Sequence, residues 1–230
     1  MNLPHVIIVT GTDTEVGKTV VTAALAASLS RTRHVAVLKP AQTGVGPGDP
    51  GDADAVRRLS GVESIHEGVR LRDPLAPTTA ARLEGMPVPS VRDHAATIHD
   101  LATSHDVVLV EGSGGLLVGL DADGAGLPEL AAELDLPCGF IVVARAGLGT
   151  LNHSGLTIEA LRRRGHPVLG LVVGSVPQTP GLAEQTNLET LETVTGVALI
   201  GCVPAGAGSL PPGEFRSAAP SWLGPSITRA

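Results

Sequence analysis

Apolar residues along this chain fall into short runs separated by longer stretches of helical spacing. The runs near 5–10, 34–39, 106–111, 138–145, 167–174 and 197–202 are mostly Val, Ile, Leu and Ala, the pattern of strands buried on both faces. Stretches near 18–30, 52–60, 90–103, 128–135, 151–164 and 181–194 read as helices. Strand and helix patterns alternate, which predicts an α/β fold: a mostly parallel sheet with helices on both faces, joined by right-handed crossovers. Residues 40–51 and 112–127 read as loops. From Pro211 onward, several prolines and little periodicity predict an irregular C-terminal segment over 211–230, packed on the surface. No repeat and no linker divides the chain, so 1–230 reads as a single domain.

One junction carries chemistry. The run Val6-Ile7-Ile8-Val9 leads through Thr10-Gly11-Thr12-Asp13-Thr14-Glu15-Val16 into Gly17-Lys18-Thr19 and an Ala-rich helical pattern. Strand, loop and helix in that order build a phosphate cradle. Loop N–H groups point inward and the helix N-terminus adds its positive dipole end. Lys18 can reach the outer phosphates and the Thr19 hydroxyl can sit on Mg²⁺. The spacing is a lengthened variant of the P-loop: the usual form needs glycine at position 12, and this chain has Thr12 preceded by Gly11. The fold class is therefore that of a P-loop NTPase.

Composition narrows the function classes. With 43% hydrophobic residues but no long uninterrupted apolar span, the chain does not read as a membrane protein. The N-terminus lacks the sections of a signal peptide, and a cytoplasmic location is expected. A net charge of −7 argues against general nucleic-acid binding. Cys138 and Cys202 follow no metal spacing and read as buried strand thiols in a reducing compartment. Phe140, Phe215 and Trp222 are the only aromatics, so base stacking on aromatic side chains is not expected.

Ligands in such sheets collect at the carboxyl ends of strands, and three further strand ends are suggestive. Lys39, in Val35-Ala36-Val37-Leu38-Lys39-Pro40, faces the same edge as Lys18 and can neutralise charge on a transferring phosphoryl group. Glu111 closes Val107-Val108-Leu109-Val110 and can hold Mg²⁺ directly or through water. Gly147-Leu148-Gly149-Thr150-Leu151-Asn152-His153 opens a helix after a strand. Its backbone donors could bind a carboxylate, although the same residues also make an ordinary helix cap.

Together these segments resemble dethiobiotin synthetase, the ATP-dependent carboxylase that closes a ureido ring in biotin synthesis. The resemblance rests on Gly-Thr-Asp-Thr-Glu-Val-Gly-Lys-Thr at 11–19, Lys-Pro-x-x-Thr-Gly at 39–44, Val-Glu-Gly-x-Gly-Gly at 110–115 and Leu-Gly-Thr-Leu-Asn-His at 148–153. It implies that 7,8-diaminononanoate takes up CO₂ (from bicarbonate) as a carbamate. ATP phosphorylates the carbamate, and the second amine attacks the mixed anhydride. Carried over by motif, Thr12, Asp13, Thr14, Glu15, Val16, Gly17, Lys18, Thr19 and Val20 would bind the nucleotide. Lys18 and Lys39 would be catalytic, with Lys39 stabilising the carbamate and the transferring phosphoryl group. Thr43 would be catalytic too, contacting the diamine or carbamate.

Thr19 and Glu111 would hold Mg²⁺. A further metal carboxylate is implied at the start of the helix after the Lys39 loop, where Asp52 and Asp54 both offer one. Asp52 keeps the better spacing to Val56 and Leu59, and Asp49 is a weaker candidate. Gly149, Thr150, Leu151 and Asn152 would bind the substrate carboxylate across a homodimer interface. One departure from the family is that Gly174-Ser175 stands where many members carry Asn-Asp, whose Asn reads adenine. Discrimination for adenine is therefore expected to be weak, with backbone near Gly174, Ser175, Pro204 and Ala205 left to hold the base; Gly174→Asn would sharpen it if the loop tolerates a side chain there, which a positive φ at this glycine would prevent.

Other features read as plain. His94, His99 and His105 are expected as exposed polar residues of a helix, and Arg162-Arg163-Arg164 as a solvated helix end. The competing readings are a cobyrinate-type amidotransferase and a partitioning or metallochaperone ATPase. The first needs a glutaminase Cys context that Cys138 and Cys202 do not provide. The second usually carries an extra loop Lys where this chain has Asp13.

Overall fold

The computed structural model describes residues 3–228. Seven strands run parallel in one sheet of order β3-β2-β4-β1-β5-β6-β7. They are β1 (Val6–Gly11), β2 (Val35–Gln42), β3 (Ile65–Arg70), β4 (Val107–Gly115), β5 (Cys138–Ala144), β6 (Val168–Val176) and β7 (Leu199–Pro204). The helices are α1 (Lys18–Leu29), α2 (Asp52–Ser60), α3 (Pro77–Glu84), α4 (Val91–Ala102), α5 (Leu127–Ala132), α6 (Thr150–Arg163), α7 (Leu182–Thr195), α8 (Pro212–Trp222) and α9 (Pro225–Thr228). No helix among the described residues is long and apolar enough to cross a membrane.

Successive side chains of a strand point to opposite faces, so one apolar run feeds two cores. Ile7 and Val9 of β1 pack with α1, α2, α8 and α9, whereas Val6 and Ile8 pack with α3 to α7 on the other face. Helix α1 is nearly all buried, and its alanines let it lie close to the sheet and to α8 at once. The chain leaves β1 for β2 on one side of the sheet and later passes from β4 to β5 on the other. The crevice at the end of central β1 is therefore a switch point, where ligands collect.

Three elements depart from the sequence expectation. Strand β3 was not expected: as an edge strand it buries only Ile65 and Val69 and exposes His66 and Gly68, so its pattern is not an apolar run. Helix α3 was not expected either, since its apolar stripe is just Ala80 and Ala81 behind Pro77. The segment from Pro211 is not irregular. Pro212 occupies the first helical turn, where its missing N–H costs nothing, and α8 seats Phe215 and Ala219 fully buried against α1. Only Arg229 and Ala230 of that segment lie outside the described residues.

Candidate active site

The loop between β1 and α1 is shaped by backbone geometry. Glu15 and Gly17 take left-handed conformations, with φ of 55° and 94°, turning the chain sharply before Lys18. Lys18 folds back so that its Nζ donates to the Asp13 carbonyl at 2.9 Å. A Cβ on Gly11 would stand 2.9 Å from that Nζ, so the loop closes only over glycine there. Burial, with the Lys39 charge nearby, holds the Lys18 ammonium below the usual lysine range. A buried cation without a contacting carboxylate suits a site that receives an anion. Asp13 lies on the rim, in an exposed ion pair with Arg145 at 2.5 Å.

A second cluster faces Lys18 across the crevice. Lys39, 4% exposed on β2, donates to Glu111 Oε1 at 2.8 Å, to the Gly112 carbonyl at 3.2 Å, and pairs with Asp52 Oδ2 at 2.6 Å. Thr19 Oγ1 donates to the same Glu111 oxygen at 2.8 Å. Burial works against the Lys39 charge, but Glu111 and Asp52 outweigh it and hold the ammonium above the usual lysine range. Asp52 is held below the usual carboxylate range: burial opposes this, and Lys39 outweighs it.

The structure separates the two aspartates. Asp52 enters the cluster, while Asp54 turns back to accept from the Gly51 N–H at 2.9 Å and pairs with Arg57 and Arg70. Thr19, Asp52 and Glu111 offer one hydroxyl and two carboxylates, oxygen donors of the kind Mg²⁺ uses when phosphates and water complete its shell. No group of three or more His, Cys, Asp or Glu side chains suited to a metal occurs among the described residues.

Both clusters line one cavity of about 900 Å³. Thr43, half-buried, forms part of its wall, and the rest is largely apolar: Val45, Pro74, Leu75, Pro77 and Val118. Gln42, Ser113 and these apolar residues escaped the sequence reading. Gln42 holds the site together, because its Oε1 accepts from the Asp52 N–H at 2.8 Å and its Nε2 donates to the Thr43 carbonyl at 3.0 Å. Its place as the last residue of a buried strand beside Thr43 was the available signal.

Other expected residues lie apart from this cavity. Gly149, Thr150, Leu151 and Asn152 form the start of α6 beyond β5. Asn152 is exposed, but the Thr150 side chain is fully buried and its N–H donates to the Gly147 carbonyl at 3.4 Å. Ser175, Pro204 and Ala205 are exposed at the ends of β6 and β7. Gly174 is buried and packs against the loop between β1 and α1. A Cβ there would collide with the Val16 carbonyl oxygen and stand 3.1 Å from the Gly17 Cα, so Gly174 seats the phosphate loop and leaves no room for Asn. His94 is likewise not exposed. It is 3% accessible, with Nε2 unpartnered beneath α4, because its position faces the sheet. Cys138 and Cys202 are half-buried rather than buried, lying at strand positions near the sheet's margins. Arg162 does more than meet solvent, donating to the Thr195 and Gly196 carbonyls at 3.0 and 2.8 Å and so capping α7.

A family model described as an AAA domain matches residues 5–211. The ATP-dependent dethiobiotin synthetase BioD of Streptomyces coelicolor is 55% identical over 96% of this chain and 93% of its own length. That of Rhodococcus jostii is 55% identical over 95% and 94%. The chain belongs to the dethiobiotin synthetase family. Membership makes the chain an ATP-dependent ligase. Among solved structures, a ParA family ATPase of Chlorobium tepidum superposes with a TM-score of 0.58 at 17% identity, covering 100% of this chain and 98% of that one. The septum site-determining protein MinD of Pyrococcus horikoshii gives 0.58 at 17% identity, covering 97% and 94%. These likenesses show the P-loop NTPase fold. The synthetase family relationship favours a ligase over a partitioning ATPase.

Proposed function

We propose that this enzyme makes dethiobiotin from 7,8-diaminononanoate, CO₂ and ATP. The observation that carries the reading is the pair of buried lysines, Lys18 and Lys39, lining one cavity whose farther wall is apolar. One amine of the diamine adds to CO₂, forming a C–N bond and releasing a proton, and the carbamate oxygen then takes the γ-phosphoryl group as ADP leaves. The second amine attacks the carbamoyl carbon, phosphate departs with the C–O bond, and a further proton is lost as the ring closes.

The protein orients the reactants and neutralises charge. Lys18, freed from the Asp13 carbonyl, faces the outer phosphates. Lys39 faces the carbamate and the transferring group, and Thr43 hydrogen-bonds the carbamate or amine. Thr19, Asp52 and Glu111 would hold Mg²⁺, which supplies charge neutralisation at the phosphates. The apolar wall suits the hydrocarbon stem of the diamine.

The start of α6 serves a neighbouring copy in a homodimer, where it receives the substrate carboxylate. Leu148 and Leu156, 82% and 59% exposed beside that start, support a self-associating face. A cytoplasmic location fits the substrates. The test is phosphate release and product mass in the presence of diamine, bicarbonate, nucleotide and Mg²⁺. Phosphate release that does not depend on the diamine would refute the reading, and a sedimenting monomer with full turnover would refute the shared site.

A further inference from the structure

The loop before α6 is held from behind by a side chain far from the two lysine clusters. Asn187 lies on α7 in a buried stripe with Leu191 and Thr195, and is 7% exposed. Its Nδ2 donates to the Ala146 carbonyl at 2.9 Å and to the Gly147 carbonyl at 3.0 Å. Both amide hydrogens are thus spent on two successive carbonyls of one loop. A buried amide in mid-helix is unfavourable in propensity and in desolvation unless its partners are met. Here they are met only by this loop.

The consequence lies on the other side of the same peptides. Gly147 and Gly149 make the loop conformationally free, with Gly149 at φ 87°. The Ala146 carbonyl is turned toward α7, and the Gly147 carbonyl is shared between Asn187 and the Thr150 N–H at 3.4 Å, so the donors left at the opening of α6 are those beyond Thr150. The N–H groups of Leu151 and Asn152 have no protein acceptor among the described residues. The buried hydroxyls of Thr150 and Ser154 have no partner either. A carbonyl rotated into this opening would place its negative end where an anion should sit.

We infer that Asn187 is a positioning residue for recognition of the substrate's carboxylate. This rests on the proposed role of Gly149 to Asn152 in the diamine site. Asn187 touches no substrate; it acts by keeping the Ala146 and Gly147 carbonyls away from the anion.

The test uses Asn187→Asp, which keeps the shape and removes both donors, and Asn187→Ala. Each is compared with wild type on 7,8-diaminononanoate and on its methyl ester, whose carboxylate is neutralised. The expected result is a KM for the acid raised about tenfold, with kcat and nucleotide affinity unchanged and the preference for acid over ester lost. Asn152→Pro, which removes one of the N–H groups at the opening of α6, at an exposed position of the first helical turn where proline is tolerated, serves as the control for the underlying reading. If it leaves the acid's KM unchanged, the role of the α6 start is wrong. If it raises that KM while folded Asn187 variants keep the wild-type acid preference, the role of Asn187 is overturned. Failure of both Asn187 variants to fold would also overturn it, since the residue would then be structural.

Discussion

Lys39→Met removes one ammonium from the most buried charge cluster of the protein. In the wild type that ammonium contacts Asp52, Glu111 and the Gly112 carbonyl, and only 4% of Lys39 and 1% of Glu111 is exposed. Met keeps much of the stem's volume, so the change is chiefly electrostatic. Breaking a buried pair on one side costs about 3–5 kcal/mol, because the remaining charge is left without its partner. Asp52, with 36% of its side chain exposed, can be rehydrated; Glu111 keeps only the Thr19 hydroxyl. The lower end applies, about 3 kcal/mol, or a fall in Tm of about 6–12 °C for a chain of this size.

The same substitution uncovers two carboxylates and a hydroxyl for a divalent cation. Mg²⁺ at about a hundred times its dissociation constant returns about 2.7 kcal/mol to the variant. The wild type should respond far less, since Lys39 already neutralises the pair. Thermal denaturation of both proteins, with and without Mg²⁺ and without nucleotide, measures the difference. A variant as stable as wild type in the absence of metal, or equal stabilisation of both by Mg²⁺, would refute the reasoning. Turnover of the variant should be lost in either case.

Lys18→Ala should nearly abolish turnover while shifting Tm little, because Lys18 meets only a backbone carbonyl in the fold; full activity in the purified variant would sink the phosphate assignment. Glu111→Gln should raise the Mg²⁺ concentration needed for half-maximal rate in a folded protein, and an unchanged titration would make Glu111 structural. ATP, GTP and CTP should support turnover within about tenfold of one another, a gap of about 1.4 kcal/mol, since Gly174 supplies no side chain to read a base; a strong ATP preference in kcat/KM would show that backbone groups do the reading. Burial holds the His94 imidazole below its ordinary value of 6.5, so the unfolded chain binds the extra proton first as pH falls. Stability should therefore be full above that value and decline below it, and His94→Leu should flatten the urea-midpoint profile between about pH 7 and 5.

The central elements were legible because their apolar runs are buried on both faces, as in β1 and β4, and because glycines mark where each run ends. Elements at the margins carry weaker signals. Strand β3 has one covered edge and two inward side chains, and α8 is disguised by Pro211, Pro212 and Pro220. In the site, Lys18, Lys39, Asp52, Glu111 and Thr19 converge as their motifs suggested. What sequence could not supply was distance across the fold. Gly174 meets Val16 only through the pairing of β5 with β6, and nothing local to Asn187 foretells that it holds residues forty positions earlier.

The near absence of aromatics has a spectroscopic consequence. The chain has no tyrosine and a single tryptophan, so its near-ultraviolet absorption and emission come essentially from one indole. Trp222 stacks edge-on against buried Phe215, with ring centroids 5.2 Å apart, on the helix that covers α1. It lines no part of the cavity that holds Lys18 and Lys39. Its emission therefore monitors docking of the C-terminal helix, and reports on ligand only so far as α1 moves beneath it. Variants of the two lysine clusters can thus be followed optically for integrity without interference from the chemistry they alter.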